Sequence, residues 1–245
     1  MSEIKFPTEE VELPSKGLVY PEDNPLSSGK IEMKYMTAKE EDILTNQNYI
    51  RKGVVLDKLL KSLIVSDVNY DDLVVGDKNA ILISARILGY GKDYEFQYNG
   101  EKVSIDLTEL KTQNLEKSSI TKGLNEFSYI LPHTKTSITY KLLTNKDERK
   151  IDAEIKGLKK INKQASPELS TRLKYVITSV NGETEDKDIR DFVDNHMLAR
   201  DSRSFREHIK ETQPDIIMKF SYSGINGEEE DATVPMTAGF FWPDA

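Results

Sequence analysis

Glu40, Glu41 and Asp42 stand side by side in "MTAKEEDIL", residues 36–44, a density of carboxylate that could hold a metal or move a proton. The run before them alternates Ile31, Met33, Tyr35, which reads as a short strand. The four residues Thr37 to Glu40 then read as a helix start, with the Thr37 hydroxyl accepting from the Glu40 N–H and the Glu40 carboxylate reaching back to Thr37. Successive helical residues diverge by about 100°, so these three carboxylates cannot converge on one ion or one proton. Their expected role is a capping box, with Glu41 and Asp42 complementing the positive helix end.

Other sources of chemistry are equally thin. Of the three histidines, His196 is read as a partly buried helical residue and His133 and His208 as solvated, and no two stand at zinc-ligand spacing. No nucleophile elbow, Walker loop or dinucleotide fingerprint occurs. There is no cysteine, which excludes disulfides and thiolate sites. The acidic segment "NGEEEDA", residues 226–232, lacks the alternating ligands and closing glutamate of an EF-hand loop and reads as a solvated hairpin tip. No catalytic, metal-binding or cofactor-binding residue is therefore assigned, and a non-enzymatic protein is expected.

With 42 acidic and 34 basic side chains in 245 residues, the net charge is −8 and both signs are mixed throughout. A nucleic-acid partner would need a segregated basic face, so none is expected. No apolar run is long enough to span a bilayer, and "MSEIKFPTEE" lacks the basic and apolar regions of a signal peptide. Synthesis and action in a cytoplasm follow as the expectation.

The elements that would position any site fall into a pattern. Pro7, Pro14, Pro21 and Pro25 forbid a helix at the start, so residues 1–30 read as an extended arm with a turn at "PSKG", lying on a body or on a partner. Helices are expected where Val55, Leu56, Leu59, Leu60 and Leu63 share one side, and in "KNAILISARILGYG", which is apolar on several faces. "YEFQYNGEKVSIDL" alternates about Asn99-Gly100, a strong hairpin signal. "FSYIL" and "SITYKLL" form a second pair. Helical spacing returns at Ile151, Ile155, Leu158 and Ile161, at Leu169, Leu173, Val176, Ile177 and Val180, at Ile189, Phe192, Val193 and Met197, and at Leu198, Phe205 and Ile209. A last hairpin carries Ile216, Met218, Phe220 and Tyr222 outward and Ala232, Val234 and Met236 back. "FQYNG" and "FSYSG" share Phe-x-Tyr-x-Gly, from Phe96 to Gly100 and from Phe220 to Gly224, by duplication or by chance. The expected class is α+β: two helical lobes, residues 31–143 and 144–245, each followed by an antiparallel hairpin, with residues 1–30 as the arm.

Three groups are candidates for contact with a partner. Leu13, Leu18 and Tyr20 are apolar residues in the arm, Arg200, Arg203 and Arg206 recur every third residue as a basic stripe, and Phe240, Phe241 and Trp242 crowd the last ten residues. The stripe would serve an acidic protein partner or internal pairing. The aromatics would fold back on the core or anchor another subunit.

Taken in order, "LPSKGLVYP", "MTAKEEDIL", the early Phe-x-Tyr-x-Gly hairpin and "FFWP" resemble the baseplate hub protein family of T-even type contractile-tailed bacteriophages across nearly the whole chain. Members of that family often carry Cys-x-x-Cys-Gly knuckles where Phe96 and Asn99, and Phe220 and Ser223, stand here. Zinc is therefore not carried over, and the resemblance implies that burial of the aromatics and the Asn99-Gly100 turn hold the hairpins instead. It further implies a structural or assembly role in the central hub of the tail baseplate, with other hub or tail proteins, the tape-measure protein among them, as partners. The implied location is the host cytoplasm during assembly and the virion if retained. A transient tail assembly chaperone is the alternative, and a hub-associated cell-wall hydrolase, resting on carboxylate number alone, a third. On the docking reading, removing residues 1–28 leaves a folded body that fails to assemble.

Overall fold

The computed structural model describes residues 7–116, 120–163, 166–223, 229–236 and 238–242. It is an α+β protein of helices and small antiparallel sheets around one continuous core. Strand β1 (Thr8–Glu12) pairs with β2 (Lys30–Lys34), placing Val11 opposite Ile31. Between them the chain crosses itself at two left-handed glycines, Gly17 (φ 74°) and Gly29 (φ 73°). A Cβ on Gly17 would lie 2.4 Å from the Ser27 carbonyl oxygen, and one on Gly29 2.7 Å from the Lys16 carbonyl carbon, so only glycine lets the two backbones touch. This crossing turns Leu13, Leu18, Val19, Tyr20 and Leu26 inward, all of them buried. The arm read from the prolines is thus a layer of the core.

Helices α1 (Ala38–Leu44), α2 (Gln47–Lys52), α3 (Val55–Leu63) and α4 (Val75–Tyr90) follow. Leu59, Leu60 and Leu63 of α3 are fully buried, as their spacing predicts. The helix α4 is enclosed on several sides, with Ala80, Ile81, Leu82, Ile83 and Ala85 all buried. Its Gly76 lies against the chain far downstream: a Cβ there would stand 1.7 Å from the Pro214 carbonyl oxygen.

The hairpin of β3 (Asp93–Tyr98) and β4 (Glu101–Asp106) turns at Asn99 (φ 50°) and Gly100 (φ 85°), the paired positive φ values of a type I′ turn. After β5 (Thr112–Gln113) come β6 (Phe127–Ile130) and β7 (Ser137–Tyr140), then α5 (Asn145–Ile161) and α6 (Glu168–Val176). The helix expected to continue through Val180 stops at Val176. Ile177–Val180 is β8, added antiparallel to β7, because "ITSV", with three β-branched residues in four, fits a pleated surface better than a helical one. The order ends with α7 (Asp186–Asp191), a π turn at Phe192–His196, α8 (Ala199–Thr212), β9 (Asp215–Ile216), β10 (Lys219–Ser223) and β11 (Glu229–Thr233). At the end of α5, Ile161 faces solvent although it continues the apolar spacing.

The two lobes interleave rather than stand apart. β8 pairs with β7 and β9 with β5, both across the 143/144 boundary. The two Phe-x-Tyr hairpins pack on each other: Phe96 meets Phe220 edge to face at 5.2 Å between ring centroids, and Tyr98 meets Phe220 and Tyr222 at 5.3 and 5.0 Å. The recurrence is therefore a zipper in which each motif supplies half of one aromatic stack. Phe96 and Phe220 are buried, the role expected of them, while Gly224 lies outside the described residues.

Two outcomes follow. Removing residues 1–28 should abolish cooperative thermal unfolding followed by circular dichroism, since it strips five core side chains; a folded truncated body would contradict this packing. Phe220→Ala should lower stability in urea by about 3–5 kcal/mol, the usual cost of truncating a buried aromatic.

Candidate functional site

Six of the nine candidate contact residues belong to the interior. Leu13, Leu18 and Tyr20 are buried, as are Phe240 and Phe241. Trp242 is half-buried, and its Nε1–H donates to the Leu44 carbonyl at 3.1 Å. Phe240 stands edge to face with Tyr94 at 4.9 Å, beside the Arg86 guanidinium. That cation is itself buried and donates to the carbonyls of Gly91 and Asp93 past the end of α4, at 2.8 and 3.1 Å. Of the two readings open for the aromatic tail, folding back is what occurs.

The capping box is present, and Glu40 exceeds its expected part. Its Oε2 accepts from Thr37 N (3.1 Å) and Thr37 Oγ1 (2.6 Å), while Oε1 accepts from Lys34 Nζ (2.9 Å) and Ser62 Oγ (2.7 Å). One carboxylate thus ties β2, α1 and α3. Burial opposes its ionisation, but the hydrogen bonds from Thr37, Lys34 and Ser62 outweigh burial and hold its pKa down to about 2. Glu41 and Asp42 are exposed and turned away from it.

Two of the three histidines, His196 and His208, reverse their expected settings. His196, in the π turn, is exposed and 3.1 Å from Asp191 Oδ2. His208 is half-buried, its Nε2 2.9 Å from Tyr140 Oη and its ring stacked on Tyr129 at 4.3 Å. The register of α8 that buries Phe205 carries His208 against the same sheet, and burial depresses its pKa. His133 is exposed, as expected, and its backbone N–H donates to Asp201 Oδ1 at 2.8 Å.

The arginine stripe divides. Arg203 pairs with Glu207 of its own helix at 2.9 Å, and Arg200 is exposed. Arg206 stands at an apolar cleft of about 260 Å³ between the start of α4, α6 and the end of α8. Val75 and Gly76 form its floor with Leu142 and Leu143, and Leu169, Leu173 and Ile209 form its walls. Three cations, Lys141, Arg172 and Arg206, and one carboxylate, Glu148, edge it. Lys141 is held by Asp147, with both oxygens at 2.8 Å, and Arg172 by Glu148 in a two-pronged pair. Only Arg206 has no carboxylate partner among the described residues; its Nε–H donates to the Ser202 carbonyl at 3.3 Å. The cleft can accept an apolar group and hold a negative charge at its lip.

Among the described residues no group of three or more His, Asp or Glu is placed to hold a metal, and no helix is long and apolar enough to cross a membrane. Comparison with protein-family models, with curated proteins and with solved structures finds no match. Apart from Arg206, the cleft residues escape sequence reading, because five separate segments supply them and each looks locally like core.

Substituting Glu40 by Gln should cost on the order of 3 kcal/mol near neutral pH, leaving Lys34 facing a neutral partner. Because the folded pKa lies below the unfolded value near 4.5, the carboxylate's contribution is complete above pH 4.5 and fades as pH falls toward 2. The stability gap between the native chain and the Gln variant in urea titrations should therefore close on acidification. A gap independent of pH would count against this network.

Proposed function

We propose that the chain is a non-enzymatic structural or assembly protein of the central baseplate hub of a contractile-tailed phage, acting by protein–protein docking. The observation that carries docking is the apolar cleft with an unpaired arginine at its lip, in a chain whose net charge is −8. The hub assignment is supported by the ordered motifs, each of which has a definite task in this fold. "LPSKGLVYP" crosses the chain at Gly17 and sends Ser15 and Tyr20 to Asp77, "MTAKEEDIL" supplies Glu40, and "FFWP" places Phe240 on Tyr94 and Trp242 on Leu44. A likeness carried by fold-determining residues favours a shared fold over shared surface chemistry. The net charge of −8 together with the basic residues of α8 suits the transient chaperone nearly as well.

Quantitative mass spectrometry of purified particles of the encoding phage separates the two. Recovery in stoichiometric proportion to the other hub proteins is the expected result. Absence from particles with co-purification on hub intermediates selects the chaperone, and absence from both overturns the hub role.

A further inference from the structure

We infer that the cleft between α4, α6 and α8 receives a short acidic-apolar segment of a partner protein, one large apolar side chain filling the cavity and a neighbouring Asp or Glu pairing with Arg206. Size argues for a side-chain anchor. At about 260 Å³ the cavity falls just under the roughly 300–1,000 Å³ typical of small-molecule pockets. One or two large side chains fill it, as a buried anchor fills the centre of an interface.

Charge selects the neighbour. Lys141 and Arg172 are neutralised within the chain, so the local excess is the single positive charge of Arg206, on a molecule that otherwise repels acidic partners. Pairing at the edge of an apolar floor is worth more than the same pair in open water, because packing of the anchor displaces solvent from the lip. Leu169 extends the apolar wall outward and remains half-exposed, in position to be covered by the flank of a bound segment. The inference rests on the docking reading and not on the phage assignment, so particle recovery and peptide binding can fail independently.

The test is titration of the ¹⁵N-labelled full chain with three capped peptides, acetyl-Glu-Leu-Phe-amide and its Gln and Lys counterparts, read at the Gly76 amide and the surrounding signals. The acidic peptide is expected to shift them saturably and to bind at least fivefold more tightly than the Gln peptide. Arg206→Glu, at an exposed side chain, should reverse the preference toward the Lys peptide while leaving distant signals in place. Leu169→Ala should weaken all three. Absence of saturable shifts at Gly76, or a preference for the acidic peptide that survives Arg206→Glu, overturns the inference. So does a small apolar acid found in the cleft by native mass spectrometry of the purified protein.

Discussion

The buried carboxylate of Asp77 is the constraint on which the remaining geometry hangs. Among the described residues no cation pairs with it, and its stabilisation comes from three donors of the first loop: Ser15 N at 2.9 Å, Ser15 Oγ at 2.7 Å and Tyr20 Oη at 2.6 Å. Burial raises its pKa, with the charge of Asp215 adding to the effect, and those hydrogen bonds only partly offset it. Tyr20 Oη also accepts from the backbone N–H of Val74, a helix-start residue with no polar side chain to cap α4. The loop thereby fixes where α4 begins. That start fixes Gly76 against Pro214, and through Pro214 the end of α8 and the strands after it. Val75 and Gly76, which line the cleft, belong to this same junction.

Local rules made part of this fold legible. The Thr37 capping box, the Asn99-Gly100 turn and the alternations on either side of it depend on neighbours a few residues apart, and each formed as read. The arm lies on the body, one of the two places open to it, and proline spacing could not choose between them because it reports the absence of a helix and says nothing of burial. What buries it is Asp77, 62 residues from Ser15. Leu169, Leu173, Val176, Ile177 and Val180 satisfy helical spacing, yet the last two lie in a strand, where pairing with β7 overrides the period. His208 was read as solvated for a related reason: its stretch of sequence is rich in charge, while its neighbours in space are Tyr129 and Tyr140.

The segments "LPSKGLVYP", "MTAKEEDIL" and "FFWP" share a property that neither composition nor spacing reveals. Each contains a residue that bonds to a distant element: Ser15 and Tyr20 to α4, Glu40 to α3, Trp242 to the end of α1. The paired aromatics of the two hairpins do the same across the molecule, with Phe96 and Phe220 in contact. The cohesion of the two hairpins therefore rests on apolar burial and ring packing.

Direction of synthesis gives the Trp242 bond a meaning of its own. A ribosome delivers Leu13 to Tyr20 well before Asp77 exists, and Leu44 waits for a partner 198 residues later. The first loop therefore gains its polar anchor when α4 appears, whereas the Leu44 carbonyl leaves the exit tunnel without its indole donor until the aromatic turn follows. Contacts of such long sequence separation are closed late and slowly. A chain that stops before the aromatic turn leaves the Leu44 carbonyl at the end of α1 without its indole donor.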